Sequence, residues 1–106
     1  MTLAQAIKEQ LADSNPDALY PDGLDQALIG IARRCGQPDL AAYDANTIIN
    51  ILAHDMSRAE AEEFYETNIV GAWVGPNTPI YLDTNFLPWQ PEQMPKSSGL
   101  VRPDER

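Results

Sequence analysis

His54 and Asp55 stand side by side, and an adjacent His-Asp pair is a metal-binding dipeptide in some phosphohydrolases. Such a centre needs further histidines, and His54 is the only one among 106 residues, so this chemistry is not expected. Placed after a run of isoleucines, His54 reads instead as a residue near a helix C-terminus, where a favourable dipole awaits it. Cys35 is likewise the sole cysteine, which excludes an internal disulfide. As a nucleophile it would need His54 as base and Asn50 or Asp55 as orienting group. No local signature supports that triad, and a free cysteine is expected as a small buried hydrophobe. Asp22 and Asp25 place two carboxylates close together, but the twelve-residue ligand pattern of a calcium loop is missing, so turn and cap roles are expected. Gly71-Ala-Trp-Val-Gly75 puts bulky residues where a phosphate cradle needs open backbone. No cofactor and no metal are therefore expected.

What the chain offers instead is charge. Sixteen acids against seven bases give a net charge of -9. Thirteen of those acids, but only four of the bases, lie between Met1 and Asp83. A surface of this sign repels phosphate backbones, which argues against direct nucleic-acid binding and points to a protein partner with a basic surface. The densest acidic stretch is Glu60, Glu62, Glu63 and Glu66, with Asp55 upstream and only Arg58 nearby to offset it. Glu62 and Glu66, four apart on one helical face, repel each other by a few tenths of a kcal/mol. Trp73, between two glycines, reads either as a core anchor or as part of an exposed recognition patch. As an anchor, its truncation would cost about 3–5 kcal/mol. The candidate partner-binding residues are thus Asp55, Glu62, Glu63, Glu66 and Trp73. Asn68 falls four residues after Phe64 on the apolar side of the same helix. It is expected as a buried amide bonded to the turn from Gly75 to Thr78.

The elements that must position these residues can be read from spacing. Thr2 and Gln5 form a capping box for an N-terminal helix with Leu3, Ile7 and Leu11 as its apolar stripe, and Pro16 ends it. Ala27 to Ala32 is an unbroken apolar run, punctuated by Cys35-Gly-Gln-Pro38 and followed by Leu40 to Tyr43. Two strands joined by a turn fit this pattern, the first covered on both faces. A helix over Leu24, Leu28, Ile31 and Cys35, stopped at Gly36, remains open as the alternative. Asp44 caps a helix with Ile48, Ile51 and Leu52 on one face. Ser57 and Glu60 form a second capping box, opening a helix that turns Ala61, Phe64, Tyr65, Asn68 and Ile69 inward and Glu62, Glu63 and Glu66 outward. Ile80 to Leu82 reads as a closing strand.

These elements make a small α+β domain over residues 1–83, a short antiparallel sheet from the 27–43 hairpin plus the 79–82 strand packed against two or three helices. Residues 84–106 carry four of the nine prolines and read as a tail in which Phe86, Leu87 and Trp89 fold back and the segment beyond Pro91 is mobile. No apolar stretch is long enough to span a membrane, and the N-terminus lacks the basic start and apolar run of a secretory leader.

Asp22-Gly23, Ala27-Leu-Ile-Gly30, Arg34-Cys-Gly-Gln-Pro38, Tyr43-Asp44 and, above all, Phe64-x-x-x-Asn68-x-x-Gly71-Ala-Trp-Val-Gly75-x-x-Thr78-Pro79 resemble a family of small uncharacterised proteins of bacteriophages and prophages. The resemblance covers residues 20–82. It carries over no catalytic residue. What it implies is provenance: an accessory protein acting in the cytoplasm of a bacterial host. With the charge, it suggests binding to a macromolecular partner, such as a host nucleic-acid-handling or defence complex that it would inhibit. A small-ligand or minor enzymatic domain built on Tyr43, Asn68 and Trp73, and a virion or assembly component, are the alternative readings.

Overall fold

Thr2 opens the first helix as expected: its hydroxyl accepts from the Gln5 amide at 3.2 Å while the Gln5 side chain accepts from the Thr2 amide at 2.8 Å. The computed structural model describes residues 1–85. The expectations for Phe86, Leu87, Trp89 and the segment beyond Pro91 lie outside the described residues. Helix α1 (Leu3–Ser14) buries Ala4, Ile7 and Leu11. Leu3, expected in the stripe, is 63% exposed. It sits one residue before Ala4 and hence about a quarter turn off the buried line, and Ala4–Ile7–Leu11 is the closer 3-then-4 spacing.

Asn15 ends α1 ahead of Pro16 and is itself buried. Its side-chain amide donates to the Asp39 carbonyl at 2.8 Å and to Asn77 Oδ1 at 3.0 Å, and its Oδ1 accepts from the Asp17 amide. One buried amide thus joins the end of α1, the start of a strand and a distant loop. A buried group of this kind needs all its partners, since an unmet one costs about 1–3 kcal/mol.

A single 3-10 turn, Asp25–Ala27, leads into β1 (Leu28–Ala32). The turn between the hairpin strands closes with Gly36 at φ +77°, a conformation that side chains with a Cβ seldom adopt. Strand β2 (Leu40–Asp44) pairs antiparallel with β1 in the register Gly30↔Ala42, Ile31↔Ala41 and Ala32↔Leu40, with an irregularity between Leu28 and Gly30. Strands, not a helix, therefore occupy the 27–43 region. Cys35, in the turn, is exposed rather than buried.

Helices α2 (Ala45–Leu52) and α3 (Arg58–Phe64) follow, then a π-helical segment, Tyr65–Val70, and strand β3 (Ile80–Leu82). The sheet order is β1-β2-β3 and β3 runs parallel to β2, with Tyr43↔Tyr81 in register. The sheet is therefore mixed, not antiparallel. The chain leaves β2 through two helices before returning, and such a crossover delivers the next strand in the same direction.

Because alternate strand residues point to opposite faces, Ala41 and Tyr43 enter a core shared with α1, α2 and α3, and Tyr81 packs against that core. Ala42, Gly30, Ala32, Ile80 and Leu82 lie on the other face. A Cβ at Gly30 would meet nothing within 4 Å, so that face is open there. The expectation that β1 is covered on both faces therefore fails, and Ile29 is also 42% exposed. No helix of the described residues is long and apolar enough to cross a membrane.

Tyr43 is fully buried, and its hydroxyl has no hydrogen-bond partner among the described residues. Burial, aided by Asp25, Tyr81 and Tyr20 nearby, pushes its ionisation above the usual tyrosine range. Tyr43→Phe keeps the ring and removes the orphaned group. It is expected to leave the unfolding free energy unchanged or to raise it. A loss of more than about 1 kcal/mol in urea unfolding would show that the hydroxyl is bonded.

Asp44 closes the frame. Its carboxylate caps α2, accepting from the Thr47 amide at 3.1 Å and the Thr47 hydroxyl at 2.6 Å, and it accepts from the Thr84 hydroxyl beyond β3. Burial alone would raise its pKa, but the bonds from Thr47 and Thr84 outweigh it and hold the carboxyl below its ordinary range. A depressed folded-state pKa means stabilisation present above the unfolded value and lost as pH falls through the folded one. Asp44→Ala is expected to cost about 0.5–2 kcal/mol at pH 7. The difference between wild type and variant should then shrink as urea unfolding is repeated down to about pH 2.

Candidate functional site

The capping box that opens α3 is present: the Glu60 amide donates to Ser57 Oγ and the Ser57 amide donates to Glu60 Oε1, both at 3.2 Å. The Ser57 bonds hold the Glu60 carboxyl below its ordinary range. Ala61 and Tyr65 face the core, and the Tyr65 ring meets Tyr81 edge-on at 6.2 Å. That anchoring turns Glu62, Glu63 and Glu66 outward, and all three are exposed.

Beyond Tyr65 the helix departs from the expected phase. The π-helical segment widens each turn, so positions four apart no longer share a face. Asn68 is therefore exposed rather than buried. Phe64, in the regular turn before that segment and expected inward, is 40% exposed. The buried amide expected at Asn68 is supplied instead by Asn15, which reaches Asn77 in the same Gly75–Thr78 turn.

That turn is held firmly. The Thr78 hydroxyl donates to the Gly75 carbonyl at 2.7 Å and accepts from the Val74 amide at 3.0 Å. Gly75 adopts φ +110°, which only glycine takes without strain. Asn77 is tied to Asn15 through its side chain and to the Leu19 amide through its carbonyl. The loop so braced presents Trp73 at 74% exposure, with Val74 at 65%. Trp73 is therefore exposed, and its reading as a core anchor, with the expected loss of about 3–5 kcal/mol, fails. Trp73→Ala is expected to change the unfolding free energy by no more than about 0.5 kcal/mol. A drop of several kcal/mol in urea unfolding would return Trp73 to the core.

Glu62, Glu63, Glu66 and Trp73 border one cleft of about 1050 Å³. Its helical wall is completed by Arg58 and Val70, and its sheet side by Leu40, Ile80 and Tyr81. Arg33 and Arg34 stand on the hairpin rim, so the cleft has charge of both signs at its margins. Most of that positive charge is committed: Arg58 lies 3.4 Å from Glu62 and bonds Asn50, and Arg33 pairs with Asp39 at 3.3 Å. Among the described residues, Glu63 and Glu66 have no ion-pair partner.

Asp55 does not join this group. It lies in the exposed turn between α2 and α3, where its amide donates to the Leu52 carbonyl. The grouping of Tyr43, Asn68 and Trp73 is also not assembled, since Tyr43 is buried and neither it nor Asn68 borders the cleft. Among the described residues no group of three or more His, Cys, Asp or Glu is arranged to hold a metal ion. Arg33, Arg34, Leu40, Val70, Ile80 and Tyr81 are among the cleft residues that sequence reasoning missed. The only signal for the last two was their place on an expected terminal strand, which is where an open sheet edge belongs. Comparison of the chain with protein-family models, with curated proteins and with solved structures finds no match.

Proposed function

We propose that this protein is a protein-binding module whose cleft between α3 and the sheet takes a basic partner surface. The observation that carries the reading is the placement of two glutamates that have no ion-pair partner among the described residues, Glu63 and Glu66, beside the exposed Trp73 in one cleft. Exposed large aromatics are the residues that most often dominate binding energy, and unneutralised acids steer an oppositely charged surface toward them. In this reading Trp73 governs dissociation and the glutamates govern association. The resemblance to phage and prophage proteins extends the proposal to an accessory protein acting in a bacterial cytoplasm, where the partner is a host nucleic-acid-handling or defence complex that binding inhibits.

The test is a salt titration of binding to the partner captured from host lysate. Steering by exposed charges is screened beyond about 8–10 Å at ordinary ionic strength, so the association rate should fall as salt rises. An association rate indifferent to salt would overturn the electrostatic reading.

A further inference from the structure

Strand β3 bounds the cleft on its sheet side and is one of the two edge strands of the sheet. Its inner edge pairs with β2, and among the described residues no other backbone hydrogen bond reaches Ile80, Tyr81 or Leu82. An edge of this kind offers unused N–H and C=O groups to another extended chain. Pro79, with no N–H to give, limits the usable edge to Ile80 onward.

The two faces of β3 differ, and the difference specifies what would lie beside it. Tyr81 points to the helix-covered face, against Tyr65, and the wall on that side carries Glu62, Glu63 and Glu66. Ile80 and Leu82 point to the face that no helix covers and are 38% and 42% exposed, with Ile80 also bordering the cleft. A strand added to β3 would therefore set alternate side chains near the acidic wall and beside these two apolar residues.

We propose, building on the reading of the cleft as a site for a basic partner, that the occupant is an extended segment of alternating basic and apolar residues that adds to β3 as a fourth strand. Charge complementarity selects this occupant over a second copy of the chain. Two copies meeting edge to edge would bring together two chains of net charge -9, each with its own glutamate wall.

The experiment uses the full chain and a fluorescein-labelled peptide of alternating lysine and valine, read by fluorescence anisotropy. A second peptide of the same sequence carries backbone N-methyl groups on alternate residues, which removes the donors along one edge and leaves its charge intact. The unmethylated peptide should bind about tenfold or more tightly than the methylated one, because several backbone bonds are lost together. It should also shift the amide resonances of Ile80, Tyr81 and Leu82. Equal binding of the two peptides, or binding of neither, would overturn strand addition. Repeating the titration with the Glu63→Lys/Glu66→Lys variant separates this inference from the reading beneath it. Equal binding of both peptides that is lost in the variant removes strand addition and leaves the acidic cleft standing. Binding that survives the reversal removes the acidic cleft, and with it the inference.

Discussion

Leu11→Ala is expected to cost the domain about 2–5 kcal/mol, a large fraction of the roughly 5–15 kcal/mol that holds a small domain together. Leu11 is fully buried and belongs to the cluster in which residues of α1, the sheet, α2 and α3 meet. Its removal leaves a void at the junction of all these elements, and the short β1 and β2 strands have little freedom to fill it. Leu3→Ala, in the same helix and with the same atoms removed, should change stability by no more than about 0.5 kcal/mol, because Leu3 is largely exposed. The contrast between two leucines eight residues apart fixes the phase of α1. Urea unfolding of the two variants measures it, and equal losses would contradict the stripe of Ala4, Ile7 and Leu11.

Reversing Glu62, Glu63 and Glu66 together to lysine is expected to abolish partner binding and leave the fold intact. None of the three is buried, so no core contact is lost. The reversal breaks the Arg58–Glu62 pair, but that pair is exposed on both sides, and such pairs contribute little. It also replaces the repulsion between Glu62 and Glu66 with another like-charge pair of similar size, so α3 should unfold with nearly wild-type stability. Binding responds differently, since the wall facing a basic partner becomes repulsive and like charges brought together cost several kcal/mol. A control reversal of Glu9, Asp13 and Asp17, all exposed, alters the net charge equally without touching the cleft. If the control weakens binding as much as the α3 reversal does, the effect belongs to overall charge and not to the cleft.

Much of this frame was legible because it rests on local chemistry. The Thr2–Gln5 and Ser57–Glu60 capping boxes, the Asp44 cap and the Gly36 turn each declare themselves within four residues. Other features were not legible, and for three of them the physical reason is plain. The direction of β3 depends on the path of the crossover, which the residues of β3 do not encode. The exposure of Asn68 follows from the π-helical widening after Tyr65, and a period of 3.6 residues cannot anticipate it. The burial of Asn15 depends on Asn77, sixty-two residues away, so only the folded chain shows which asparagine is the structural one. The candidate site was legible in part: four of its five expected residues share one cleft, and Asp55 stands apart.

The central claim is that the partner sits in the cleft between α3 and β3. Its most direct test is the amide and indole NMR spectrum of the labelled protein as the captured partner is added. The account expects the largest shifts at Glu63, Glu66, the Trp73 indole, Ile80 and Tyr81. Shifts confined to α1 and the Asp25–Ala27 turn, with those cleft signals unmoved, would contradict it.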